Sequence, residues 1–141
     1  MASKSNNGLS HLSIGVRNIE ISKQFYSATL TPLGLALVYE SPSSSSGSKP
    51  RVLGYGPDKE NEIVNIFEHG DEAHAPGRGC HLAFDASSRD IVRAFHAAAI
   101  ANGGICNGEP GLREHYGQNY FAAFVIDPDG WRLEAVCKSV N

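Results

Sequence analysis

His11, His81 and Glu134 are the residues of this 141-residue sequence whose types and positions suit a shared divalent cation. His11 and His81 head two similar segments, His11-Leu12-Ser13-Ile14-Gly15-Val16 and His81-Leu82-Ala83-Phe84-Asp85-Ala86, 70 residues apart. Two imidazole nitrogens and a carboxylate suit Zn, Ni, Mn, Co or Fe and leave positions open for substrate or water. The competing reading is that the three hydrogen-bond one another without a metal. His115 and Tyr116 are the candidates for proton transfer, because an imidazole titrates close to neutral pH and both lie in a Gly-bounded loop with Arg113. Glu68, His69 and His74 are further candidate bases, with solvated loop polarity as their plainer reading. Arg113 and Arg132 suit an anionic substrate group or a surface ion pair. Tyr116, Tyr120, Phe121 and Phe124 suit the wall of an apolar pocket, although alternation along a strand separates Tyr120 and Phe124 from Phe121.

The elements that must position these groups come in two similar halves. Besides the His-headed segments, the same offset relates Phe25 to Phe95, Gly34 to Gly104 and Leu35 to Ile105. Leu12, Ile14 and Val16 alternate as in a half-buried strand, and a helix is expected from Ile19 to Leu30 with Ile21, Phe25 and Ala28 on its apolar stripe. Strand candidates follow at Leu35–Tyr39, Arg51–Tyr55 and Glu62–Phe67. In the second half, Ser87 and Asp90 signal a helix start. Ile91, Ala94, Phe95, Ala98 and Ala99 recur at helical spacing, and Gly103-Gly104 gives a stop. A short strand near Ile105, a loop from Glu109 to Gln118, a strand from Asn119 to Ile126, the turn Asp127-Pro128-Asp129-Gly130 and a strand from Trp131 to Cys137 complete the half.

Each half therefore reads βαβββ, and the fold class is α+β, with two such modules forming paired curved mixed sheets. Residues 1–9 read as a flexible N-terminus and 10–138 as one domain, with modules 10–68 and 80–138 joined by a linker, 69–79. The run Ser41 to Ser48 reads as a mobile loop within the first module. Period 2 places His11 and Ser13 on one face of the first strand, His81 and Ala83 on the matching face of the fifth, and Glu134 with Arg132 and Val136 on that face of the last strand.

With 12 Lys and Arg against 15 Asp and Glu, the net charge of −3 and the lack of a basic block argue against a nucleic-acid or anionic-membrane partner. No stretch has the roughly 20 apolar residues that cross a bilayer, and the N-terminus lacks the apolar core of a secretory signal. Cys80, Cys106 and Cys137 are odd in number, and read as reduced core thiols of a cytoplasmic protein.

The His-Leu-Ser-Ile-Gly-Val and His-Leu-Ala-Phe segments, Phe25-Tyr26, Leu33-Gly34 and Asp127-Pro128-Asp129-Gly130-Trp131-Arg132-Leu133-Glu134 together resemble the vicinal oxygen chelate superfamily. It contains glyoxalase I, fosfomycin-resistance transferases, extradiol dioxygenases, methylmalonyl-CoA epimerase and bleomycin-resistance proteins. The resemblance spans about residues 10–137 and implies a glyoxalase-like fold. It implies a divalent metal on His11, His81 and Glu134, and a small-molecule substrate chelated through two adjacent oxygens by a lyase, isomerase, transferase or dioxygenase. The fourth ligand position falls on Asn65 or on Val64, where glyoxalase I has a carboxylate or its equivalent. The segment Gly111 to Gly117 with Tyr120 resembles small glyoxalase-like proteins. A homodimer is implied, in which His11 and the pair His81/Glu134 come from different chains. The rival implied by the same family is a metal-free protein of the bleomycin-resistance type that sequesters a small molecule; a third reading is an inactive accessory subunit.

Overall fold

The computed structural model describes residues 8–42 and 49–141. Most of the expected Ser41–Ser48 loop, and all but the last two residues of the 1–9 segment, lie outside the described residues. In chain order the elements are β1 (Leu12–Val16), α1 (Ile19–Leu30), β2 (Ala36–Glu40), β3 (Val52–Gly56), β4 (Val64–Glu68), β5 (Leu82–Asp85), α2 (Arg89–Ala101), β6 (Ile105–Leu112), β7 (Phe121–Ile126) and β8 (Arg132–Cys137). Both halves are βαβββ, as the repeat implies. The strand orders, β1-β4-β3-β2 and β5-β8-β7-β6, are the same topology twice. In each sheet the His-headed strand pairs in parallel with the module's last strand.

Local chemistry fixes the helix starts. The Asn18 side chain accepts hydrogen bonds from the Glu20 and Ile21 amides at the head of α1. Ser88, rather than the expected Ser87, caps α2 by accepting from the Ile91 amide. The stripes also differ from expectation by a rotation of each helix. Ile21 is exposed, and α1 buries Ile19, Ser22, Phe25, Tyr26, Thr29 and Leu30. Helix α2 leaves Ala94 exposed and buries Val92, Phe95, His96 and Ala99. The winning face is the one that meets the sheet and the other helix, a choice that spacing alone does not make.

One core runs through both modules. Phe25, Tyr26, Leu53, Ile66, Phe95, Val125 and Leu133 are among its members, each large apolar side chain there contributing about 1.5–3 kcal/mol relative to exposure. The two helices meet closely where Gly104 follows α2. A Cβ at that glycine would lie 2.8 Å from the Phe25 ring.

The Asp127–Gly130 turn also fastens the halves together. Asp127 is buried, and its Oδ2 accepts the Tyr26 hydroxyl hydrogen at 2.5 Å, while its Oδ1 accepts from the Asp129 and Trp131 amides, each at 2.8 Å. Asp129 Oδ1 in turn accepts from the Arg17 amide at 3.0 Å, and the Trp131 indole donates to the Gly15 carbonyl at 3.0 Å. Gly130 holds φ +98°, a left-handed conformation that side chains disfavour. Burial pushes the Asp127 carboxyl above its usual range against the pull of these donors, and burial with the neighbouring Asp127 charge pushes the Tyr26 phenol well up. Trp131 packs half-buried against the core.

The expected Glu109–Gln118 loop is shorter, because β6 continues to Leu112. Gly108, Pro110 and Gly111 read as breakers, but β6 is an edge strand that absorbs them with two bulges, one between Cys106 and Gly108 and one between Gly108 and Gly111. The remaining connection is closed by the Arg113 amide, which donates to the Tyr120 carbonyl at 2.7 Å. The cysteines are not all core thiols either. Cys137 is buried, Cys80 half-buried and Cys106 exposed.

Candidate active site

Strand pairing decides which side chains share a face. Phe121, Ala123 and Val125 of β7 enter the core beside α2, so Tyr120, Ala122 and Phe124 take the opposite face. Leu133, Ala135 and Cys137 of β8 likewise enter the core, which turns Glu134 to the Tyr120 side, and Phe124 faces Glu134 directly in the ladder. The alternative left open by alternation is thereby resolved. Phe121 lies under the guanidinium groups of Arg89 and Arg93, 5.2 and 4.9 Å from its centroid.

His81 and Glu134 come together on this face. Histidine Nε2 is 2.9 Å from Glu134 Oε1, with the carboxylate 1% exposed and the imidazole largely open to solvent. Glu134 Oε2 accepts a short hydrogen bond from the Tyr120 hydroxyl. Burial, and then the Glu134 carboxylate it serves, raise the Tyr120 phenol to about 12, so that it remains a donor. The Phe124 ring sits 6.2 Å from the His81 ring. An aromatic chain leads outward, with Tyr116 and Tyr120 centroids 5.3 Å apart and the His115 ring tilted against Tyr116 at a centroid distance of 4.1 Å. A cleft of about 380 Å³ opens over His81, walled by Arg78, Cys80, His81, Tyr116, Phe124 and Arg132 among others, with Glu134 buried behind the imidazole. Arg78 was not singled out from the sequence; a solitary arginine between two glycines of the linker carries no distinguishing signal.

The other expected residues are placed as follows. His11 stands exposed at the head of β1 in the first sheet, its Nδ1 2.9 Å from the Ser10 hydroxyl. Among the described residues, His11, His81 and Glu134 do not form a set whose ligand atoms all lie within 4.8 Å. Arg113 donates to the carbonyls of Gly111 and Glu109, and its guanidinium lies over Phe124. His69 stacks on Phe67 near β1, and His74 is exposed in the linker.

The register also settles which first-sheet residue matches Glu134. Ser13 pairs with Asn65 as Ala83 pairs with Glu134, so Asn65, not Val64, is the counterpart. Val64 is buried in the core, and Asn65 Oδ1 is a buried oxygen without a hydrogen-bond partner among the described residues. Asn65 faces Gly54, and a Cβ on Gly54 would lie 1.6 Å from Glu62 Oε1. The Glu62 carboxylate therefore rests on the sheet where Gly54 lacks a side chain, beside Asn65. Glu62 carries no distinguishing signal in the sequence, because Asp58 and Glu60 stand beside it and only the fold lays its carboxylate over Gly54.

A buried carboxylate beside an imidazole is a donor pair that fits a borderline divalent cation, and the unpartnered Asn65 oxygen of the other sheet is a further donor of compatible type. Twin βαβββ modules with an imidazole–carboxylate pair on a helix-free sheet face define a glyoxalase-type scaffold. The chain belongs to the Glyoxalase/Bleomycin resistance protein/Dioxygenase superfamily, whose family model matches residues 8–135. A glyoxalase/bleomycin resistance protein of known structure from Albidiferax ferrireducens is 34% identical, with a TM-score of 0.68 over 92% of this chain and 97% of that one. A probable lactoylglutathione lyase from Synechocystis is 29% identical over 91% of this chain and 93% of its own. Another, from Vibrio cholerae, is 26% identical over 94% and 91%. Among the described residues, no helix is long and apolar enough to cross a membrane.

Proposed function

We propose that the chain is a divalent-metal enzyme that acts on a small, anionic, oxygen-bearing molecule in the cleft above His81, with the lyase class of its curated relatives as the leading reaction type. The observation that carries this reading is that His81, which lines a cleft also holding Arg78 and Arg132, has its Nε2 2.9 Å from the buried Glu134 carboxylate.

His81 and Glu134 would hold the metal from this chain, and His11 with Asn65 would hold it from the first sheet. A bound cation would supply Lewis-acid stabilisation of negative charge developing on substrate oxygens. Tyr120 fixes the Glu134 carboxylate by donating to one of its oxygens. Arg132 and Arg78 neutralise an anionic substrate group, and Phe124 with Tyr116 shields the site from water. Arg113 shapes this wall, since its guanidinium spans two carbonyls of β6 beside Phe124. His115, at the outer end of the aromatic chain, accepts and returns a proton. Glu62 offers a second acceptor on the first-sheet side.

A shared site in a homodimer follows from this reading, because His11 does not converge on His81 and Glu134 within one chain. Mixing His11→Ala with Glu134→Ala protein tests it. Each variant alone should lose tight metal binding, and random subunit exchange should restore about a quarter of the sites, since half of the dimers are mixed and each has one intact site. Mixed dimers without recovered binding would overturn the shared site.

The metal-free binding reading draws on a specific observation too. Both Glu134 oxygens already have hydrogen-bond partners, His81 and Tyr120, so the group is satisfied without a cation. Elemental analysis of protein purified without chelator separates the two. A stoichiometric divalent metal, lost in His81→Ala, supports the enzyme; no metal, even after Ni, Mn, Zn or Fe is added, supports the sequestering protein.

A further inference from the structure

We propose that His96, Cys106 and Glu109 form a second metal site, of zinc type, on the α2 side of the second sheet and separate from the cleft above His81. The three side chains are the only group of three His, Cys, Asp or Glu among the described residues whose ligand atoms all lie within 4.8 Å of one another. His96 Nε2 is 3.2 Å from Cys106 Sγ, Cys106 Sγ is 3.5 Å from Glu109 Oε1, and His96 Nε2 is 3.9 Å from Glu109 Oε2. A tetrahedral zinc with bonds of about 2.3 Å to sulfur and about 2.0–2.2 Å to nitrogen and oxygen has ligand–ligand edges of about 3.4–3.6 Å. The sulfur–nitrogen separation lies close to those edges, and Glu109 turns one carboxylate oxygen toward each partner, so a rotation of that exposed carboxylate brings a single oxygen into the set.

The backbone arranges this convergence in a way the sequence conceals. Cys106 and Glu109 are three residues apart, and in a regular strand they would face opposite sides. The bulge between Cys106 and Gly108 inserts one residue, Asn107, opposite Phe124. Cys106 remains opposite Val125 on the α2 side, and Glu109 is returned to that same side. His96 reaches them from the buried stripe of α2, held at 8% exposure beside Phe95 and Ala99. The repeat does not explain the cluster, because the positions matching His96 and Cys106 in the first half are Tyr26 and Ala36. Core packing does not explain it either, since Cys106 and Glu109 are exposed.

Thiolate, imidazole and carboxylate together favour zinc over magnesium or calcium. Three protein ligands leave the fourth tetrahedral position for water, and Cys106 gives up its thiol proton to solvent on binding. The bound ion would staple edge strand β6 to α2.

Cobalt(II), titrated as a spectroscopic stand-in for zinc into the full-length Glu134→Gln protein, tests the site apart from the cleft. We expect tetrahedral visible absorption with a near-ultraviolet thiolate-to-cobalt band, retained in Cys80→Ser and lost in Cys106→Ser. Alkylation of the Glu134→Gln chain, in which the cleft site lacks its carboxylate, by iodoacetamide, mapped by mass spectrometry, supplies a second readout if Cys106→Ser fails to fold. Zinc at ten times its dissociation constant should slow modification of Cys106 about tenfold and leave Cys80 unaffected. Absence of the thiolate band, or a Cys106 alkylation rate indifferent to zinc, would overturn the proposal. Because Glu134→Gln removes a ligand of the cleft site alone, either metal assignment can fail while the other stands.

Discussion

Asn65 faces Ser13 across the β1–β4 ladder in the same register in which Glu134 faces Ala83 across β5–β8. The two sheets thus present an amide and a carboxylate at matching points, and the acid of the first sheet comes from Glu62, folded over Gly54. This asymmetry gives the first prediction. If Asn65 helps to hold the cation of the cleft site, Asn65→Asp should tighten its binding and Glu134→Gln should weaken it by at least about a hundredfold, the upper end of what altering a supporting residue costs. Isothermal titration with Zn and Ni on the Cys106→Ser background measures both.

Gly54 and Gly56 should respond differently to alanine although they are two residues apart. At Gly54 the new methyl group meets the end of the Glu62 side chain, which can swing away, so Gly54→Ala should keep the fold and alter the site. At Gly56 it would lie 1.9 Å from the Asn61 backbone oxygen, which cannot yield without moving the chain. Gly56→Ala should lower stability by about 3 kcal/mol or more, the range of severe core strain. Urea unfolding midpoints of the two variants provide the comparison.

Tyr120→Phe removes the donor to a nearly fully buried carboxylate. The expected loss is about 1–3 kcal/mol, typical of a buried polar group left with one partner fewer. The phenol is raised in the folded protein from the usual 10.0 to about 12. Its bond to Glu134 should therefore contribute fully below pH 10 and fade as pH rises through about 12. Tyrosine-resolved NMR titration should show Tyr120 ionising late, and Glu134→Gln should bring it down.

Tyr26→Phe tests the clasp between the modules. Its hydroxyl is the side-chain donor to buried Asp127, and its loss should cost about 1.5–3 kcal/mol near neutral pH, as for hydrogen bonds to charged groups. Because the folded Asp127 carboxyl already lies above its unfolded value, the folded state holds its proton more tightly, and stability falls as pH rises between the two values before levelling. Removing a bond that favours the charged form widens that interval. The deficit of Tyr26→Phe should thus be smaller near pH 4 than near neutral pH. Unfolding midpoints at both pH values decide it.

The duplicated βαβββ plan was legible because its signals are local. Alternation through Leu12, Ile14 and Val16, the 70-residue echo of the His-Leu segment and the Asp127–Gly130 turn each lie within a few residues of chain. The same alternation put His81, Arg132 and Glu134 on one face, and the structure joins His81 to Glu134 there. Ile21 and Ala94 were misread because a helix's apolar spacing does not say which of two neighbouring stripes meets the core. The end of β6 was misread because Gly108, Pro110 and Gly111 break a central strand but not a bulged edge.

What the sequence alone determined is therefore the repeat, the fold family and the shared face of His81 and Glu134, since period 2 is a property of any strand wherever it packs. The contact between those two, without His11 beside them in one chain, came from the tertiary structure. Only the tertiary structure decided that Asn65 is the counterpart of Glu134, that Glu62 lies over Gly54, that Asp127 clasps Tyr26 across the modules, and that a bulge turns Glu109 back toward Cys106 and His96. Each of these depends on register, bulges or contacts between residues distant in the chain, and such relations are fixed by how surfaces pack together rather than by any short run of residue types.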